Sequence, residues 1–231
     1  SAIGIGWAVL QPLFPMLIFS VIFGRLAKLS SDGIPYALFS FAGLVPWLYF
    51  SNGVTDGVNS LIANANMLSK VYFPRLLIPL SAVLSRLIDF CVATIVLLGM
   101  MLWYGIMPNW GACVIPWLLA IMILTTIGVA GWLSTLAIQY RDVKHALSFL
   151  IQVLMYTAPV VYPASLIPDS WKLLYALNPM VSVIEGLRSA LFGTRDMPWL
   201  LIAVGSVSSL FIAVSGTGYF IRKQRTFADV A

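Results

Sequence analysis

Few side chains in this chain are equipped for chemistry, because only 9% of its 231 residues are charged and 61% are apolar. Arg86 and Asp89 stand three apart inside an apolar run, a spacing that puts both on one helical face. A charge in hydrocarbon is costly, so the two are expected to pair, with Asp56 as a nearby third member. Direct ion coupling is the alternative use. Glu185 and Arg188 repeat the spacing and are expected to pair on a polar helix side. The single His145 cannot build a metal site alone. Cys91 and Cys113 lie in or beside apolar runs and read as small packing residues rather than a disulfide or metal pair, so no metal is expected. There is no Gly-x-x-x-x-Gly-Lys-Ser/Thr, no His-Glu-x-x-His and no Gly-x-Ser-x-Gly. Without a phosphate cradle or a hydrolytic constellation the chain is expected not to be an enzyme. Any uphill work it does must draw energy from elsewhere.

The uncharged polar groups are as telling. Trp7, Gln11 and Phe14 share one helical face, at spacings of four and three, and Phe149, Gln152 and Tyr156 share another. Each face sets a glutamine between aromatics. Rings and amides together make a wettable surface that offers weak hydrogen bonds, so the two faces are candidates for the lining of a translocation path. The plainer use is that each glutamine bonds a neighbouring helix while the rings pack in a bundle.

The elements that carry these residues are membrane helices. A mean hydropathy of +0.97 is far above that of a soluble domain. Runs of about 20 apolar residues match the thickness of hydrocarbon at 1.5 Å per residue. Six spans are predicted, over about 3–23, 34–54, 76–104, 113–140, 146–162 and 199–221, in one all-α membrane domain covering 1–231. Pro12, Pro15 and Pro46 predict kinks, which bundle neighbours tolerate. The net charge of +5 reads as membrane orientation, not nucleic-acid binding. With both termini cytoplasmic, the inner segments hold Lys70, Arg75, Arg141, Lys144 and the compact "RKQR" at 222–225. Trp7, Trp47, Trp103, Trp110, Trp117 and Trp199 fall mostly near span ends, as an aromatic belt requires. The opening run is long enough to span and lacks a basic leader, so it reads as a trimmed N-terminus, not a signal peptide.

Between the last two spans, over 163–195, the pattern predicts two short helices. "PDSWKLLYALNP" offers Asp169 or Ser170 as an N-cap, with Trp171 on the helix, and stops at Asn178-Pro179. "MVSVIEGLRSALFG" follows, with an apolar stripe of Ile184, Leu187 and Leu191, and ends at Gly193. Helices this short cannot cross a bilayer. They suit a re-entrant or interfacial hairpin on the outer face, or a cap over the bundle.

Four blocks, "GIGWAVLQPLFPMLIFSVIFG" (4–24), "SKVYFPRLLIPLSAVLSRLIDF" (69–90), "YRDVKHALSFLIQVLMYTAPVVYP" (140–163) and "LNPMVSVIEGLRSALFG" (177–193), resemble the permease subunits of type-2 ABC exporters. The resemblance is nearest to those that export O-antigen, teichoic acid and related polysaccharides. The basic amphipathic helix with which that family usually begins is absent here, which reads as truncation. The resemblance implies a bacterial inner-membrane homodimer above two cytoplasmic ATPase subunits, which hold the ATP and Mg. No cofactor is implied in this chain. The cargo implied is a lipid-linked polysaccharide. Spans 1 and 5 are implied to line the path, and the segment 59–75 to be the coupling helix seated on the ATPase. Such a lever needs an apolar anchor (Met67, Leu68, Tyr72, Phe73), cations to fix its docking (Lys70, Arg75) and stiffness, which Pro74 and Pro79 supply. A loop held by lipid phosphates is the plainer reading of the same residues. Arg141 and Asp142 in "YRDVKHA" are a second ATPase contact candidate, or a plain positive-inside turn. Two rival readings remain: a type-2 exporter of drugs or other small amphiphiles, and a membrane-embedded enzyme of envelope glycan assembly that uses Glu185 and Arg188.

Overall fold

The computed structural model describes residues 2–64, 74–140 and 142–224, and the described residues are helical with no strand. Helix α1 is Ala2–Phe19, continued by a π-helical stretch, Ser20–Leu26, so the first crossing carries Pro12 and Pro15 in its interior. Helix α2 is Tyr36–Ala63, α3 is Leu77–Trp103 and α4 is Ile115–Gln139, entered through a 3₁₀ turn at Trp110–Val114. Helix α5 is Asp142–Tyr156, α6 is Asp169–Ala176, α7 is Pro179–Phe192 and α8 is Trp199–Lys223.

The burial pattern is that of a protein whose solvent is lipid. Helix α2 has the lowest hydropathy of the long helices and is the most buried, packed by α1, α3, α4 and α7. The more apolar α3 and α8 turn Ile88, Ile95, Val207 and Phe211 outward, each about 70% exposed. An apolar exterior this extensive marks contact with membrane or with other chains. Trp103, Trp110, Trp117 and Trp199 lie exposed at helix ends, as the aromatic belt predicts, whereas Trp47 is buried inside α2 and stacks near Phe50.

Five helices among the described residues are long and apolar enough to cross a membrane, not six. The expected fifth span over 146–162 is the exception. Helix α5 has 15 residues and rises about 22 Å, short of the hydrocarbon thickness. Pro159 stops it: the residue before a proline is driven out of the helical region, and the chain bends through Ala158–Val161, which is buried. Helix α2 departs in the other direction. It runs nine residues past its predicted end at 54, because Val58 and Leu61 are fully buried and nothing in that stretch breaks the helix. The proposed coupling segment therefore starts as the last turns of α2, through Asn59–Ala63.

The pair of short helices is present. Pro168, not Asp169 or Ser170, occupies the cap position of α6, and Asp169 sits in the first turn, where a carboxylate suits the helix dipole. Asn178 caps α7 by accepting from the Met180 N–H at 3.1 Å, and Gly193 ends it in the left-handed region at φ 63°. Helix α7 is inserted among α2, α4 and α8 and buried at every residue.

Candidate functional site

Three groups of candidate residues emerge, on different elements. The first is a polar ladder in the middle of the bundle. Arg86 and Asp89 lie one turn apart on α3, and the guanidinium donates to Asp89 at 2.7 Å and to Asp56 on α2 at 2.5 Å. The expected pair is thus a triad including Asp56. One turn along α2, Asn52 accepts from the Gln11 amide of α1 at 3.3 Å. The half-buried Gln11 therefore directs its amide N–H to α2. The buried Tyr49 hydroxyl, without a partner among the described residues, lines the same small cavity of about 20 Å³ as Gln11, Asn52, Arg86 and Asp89. A cavity of that size with several polar walls suits one water.

The second group is the pair of aromatic faces. Trp7 and Phe14 on α1 stand exposed, as do Phe149, Gln152 and Tyr156 on α5. Helix α1 packs on α2 and α3, and α5 packs on α2 and α4, so the two faces flank α2. Only Leu147 of α5 is buried. The amphipathic α5 is therefore left with a broad uncovered surface.

The third group belongs to α7. Glu185 and Arg188 pair at 3.0 Å, but there is no polar helix side: both are more than nine-tenths buried. Their surroundings explain why a charge is tolerated there. Arg188 donates to the carbonyls of Pro159 at 2.6 Å, Val160 at 2.9 Å and Phe39 at 3.1 Å, and its guanidinium lies 3.5 Å from the Phe39 ring centroid. Glu185 Oε1 also accepts from the Ala164 N–H at 3.3 Å. Burial pulls the Arg188 guanidinium below its usual value, against the attraction of Glu185. An arginine starts high enough to stay charged. The bend that ends α5 is thus tied to α2 and α7 through Arg188, and the Tyr36 hydroxyl at the start of α2 donates to the Val161 carbonyl at 2.6 Å. Gly43 makes the room: a Cβ there would come within 2.6 Å of Arg188 Nη2 and 3.0 Å of the Val160 carbonyl. Neither Gly43 nor Phe39 announces this role in sequence. A glycine in a buried apolar helix was the only available signal.

On the rim of this region, Trp171 on α6 is exposed, and Lys172 pairs with Asp169 at 2.5 Å, holding the Asp169 carboxyl below the usual range. Among the described residues no cluster of three His, Cys, Asp or Glu forms a metal site. Cys91 and Cys113 are both free and exposed, so they are not the packing residues expected, and His145 is exposed near the start of α5.

Of the coupling residues, Met67, Leu68, Lys70, Tyr72, Phe73 and Arg141 lie outside the described residues. Arg75 donates through Nη1 to the Gln224 carbonyl beyond the end of α8. Asp142 opens α5, with its carboxylate in the first turn. The residues just before α3 and just after α8 therefore meet.

Comparison with known proteins gives a consistent result. The profile of the ABC-2 type transporter family matches residues 1–192. The chain is 30% identical to the O-antigen export system permease protein RfbA of Myxococcus xanthus, over 99% of this chain and 88% of that protein. It is 29% identical to a protein of the same name from Klebsiella pneumoniae, over 100% and 88%. The polysialic acid transport protein KpsM of Escherichia coli is 26% identical over 92% and 84%.

Proposed function

This chain belongs to the ABC-2 type transporter family, and on that premise we propose that it is the permease subunit of an ATP-driven exporter that moves a polysaccharide across the bacterial cytoplasmic membrane. The observation that carries the reading is the likeness, along nearly the whole chain, to permeases named for O-antigen export and for polysialic acid transport. The membrane-spanning bundle agrees with it.

The finer parts of the reading rest on chemistry. Two copies of the chain form the permease, and two ATPase subunits hydrolyse ATP beneath it. The segment 59–75, with Arg141 and Asp142, takes the push. The tie between Arg75 and Gln224 supports this, because it links the start of α3 to the end of α8, so a force on one reaches the other. The exposed aromatics of α1 and α5 face the cargo, which is a lipid-linked glycan. Both termini are cytoplasmic, and α6 and α7 stand at the outer end of the route.

Depleting the chain in its native cell, with the ATPase intact, tests the export reading. Lipid-linked glycan is expected to build up inside the cytoplasmic membrane and vanish from the surface, with rescue by the chain. Normal surface glycan after complete depletion would overturn it.

A further inference from the structure

Beside α7 and beyond the aromatic faces lies a cleft of about 310 Å³ that the export reading does not use. Its floor is the Glu185 carboxylate and Ser189, 6% exposed, whose hydroxyl takes no partner among the described residues. Its rim carries Lys172, Arg195 and Asp196, and its far wall is the start of α8 at Trp199 and Leu200, both more than 60% exposed. One end of the cleft is therefore ionic and the other is apolar and continuous with the outer surface of a spanning helix.

We infer that this cleft binds the headgroup of a zwitterionic membrane phospholipid carrying a primary ammonium, with its acyl chains lying along Trp199 and Leu200. Charge complementarity selects that class. The cations are already matched: Arg195 pairs with Asp32 at 2.9 Å, Lys172 with Asp169, and Arg188 with Glu185 behind the floor. The cleft itself is lined by two cations, Lys172 and Arg195, and two carboxylates, Glu185 and Asp196, so it has no surplus positive charge to draw an anionic headgroup. A headgroup bearing both signs fits. Its phosphate meets Lys172 and Arg195, each more than 40% exposed beside its own carboxylate, and the Ser189 hydroxyl, and its ammonium meets Glu185 and Asp196. A primary ammonium donates hydrogen bonds to those carboxylates, whereas a choline headgroup has no N–H to offer. The tryptophan sits where a belt residue meets the headgroup layer.

The test uses the intact permease–ATPase complex, purified in mild detergent and offered equimolar phosphatidylethanolamine, phosphatidylcholine and phosphatidylglycerol of identical acyl chains. Bound lipid is counted by native mass spectrometry. Phosphatidylethanolamine is expected to be retained about threefold over each of the others, the scale of one partly exposed ion pair. Asp196→Asn and Lys172→Ala, both on the rim and outside the buried pair, are expected to abolish the preference while leaving the thermal midpoint of the complex unchanged. Free phosphoethanolamine in large excess is expected not to displace the lipid, because the apolar wall holds the chains. Equal retention of the three lipids, a preference for phosphatidylglycerol, or a preference that survives both substitutions would overturn the inference. Glycan export is not the readout, so the inference can fail while the transport reading stands.

Discussion

At the scale of single residues, Arg188 holds more of the structure than any other charged side chain described. It satisfies three backbone carbonyls on two segments, faces Glu185 and covers the Phe39 ring. Removing one partner of a buried pair strands the other charge, so Arg188→Ala should lower stability by about 3–5 kcal/mol. The carbonyl crown makes a sharper prediction. Neutralising both partners together, as Arg188→Met with Glu185→Gln, removes the stranded charge but leaves the Pro159, Val160 and Phe39 carbonyls without their donor. Stability should therefore not return to the native level. Arg188→Lys should fall between, since an ammonium has no planar fork to span both segments. Thermal unfolding in detergent ranks the three. Full recovery in the double variant would mean that pairing alone, not the crown, sets the role of Arg188.

At the scale of elements, the tightest contact is between α4 and α8, where backbones touch through glycine. A Cβ at Gly216 would stand 2.0 Å from the Gly128 carbonyl oxygen, and one at Gly128 would stand 2.4 Å from the Ile212 carbonyl oxygen. Those obstacles are main chain and cannot swing aside, as expected where small residues bring membrane helices together. Gly216→Ala should cost about 1–3 kcal/mol by overpacking. Gly218→Ala, two residues away on the same helix with nothing within 4 Å, should be neutral or slightly stabilising, because alanine suits a helix better. Equal loss in both, measured as the thermal midpoint, would remove the close approach as the cause. Periodicity and punctuation made most elements legible: α3 and α8 begin and end within about two residues of where apolar runs and charges place them, and Asn178 and Gly193 bound α7 as their chemistry dictates. Hydropathy failed at α5 because it adds up residues without asking where the helix stops. The run through 162 is apolar enough, yet Pro159 ends the helix, and the bend is held by the Tyr36 hydroxyl on the Val161 carbonyl and, through two further carbonyls, by Arg188. That partner is about 30 residues away, beyond any local pattern. Similarly, Glu185 and Arg188 have the spacing of an exposed ion pair, and nothing in that spacing says that α7 lies inside the bundle. The Arg86 and Asp89 pair was readable because any charge in hydrocarbon demands a partner, and Asp56 was close enough in α2 to supply one.

At the scale of the whole molecule, the described chain leaves a large apolar surface in two kinds of place. Away from the tryptophans at their ends, the large exposed apolar side chains of α3 and α8 are aliphatic or phenyl, such as Ile88, Ile95, Val207 and Phe211, which suits lipid tails. Helices α1 and α5 also expose aliphatic residues such as Leu17 and Val153, but among them Trp7, Phe14, Phe149, Gln152 and Tyr156 mix rings with amide and hydroxyl groups. A glutamine turned into lipid would leave an unsatisfied amide, at a cost that a second protein surface or a wet route removes. Both helices pack on α2, and in the proposed dimer a route lined by the two faces is completed by a second copy of the chain. Cysteine at position 14 or 149, introduced singly into a chain whose Cys91 and Cys113 are both changed to Ser, should then form a disulfide-linked dimer within the assembled exporter under mild oxidation. Cysteine at 95 or 207, on the aliphatic surface, should not. Bulky substitution at Phe14, Gln152 and Tyr156 should slow glycan export by more than substitution at Ile95 or Val207, while leaving the amount of assembled complex unchanged. Cross-linking at 95 and 207 but not at 14 and 149, with export indifferent to the aromatic faces, would place the subunit contact and the route on the aliphatic side and refute the arrangement.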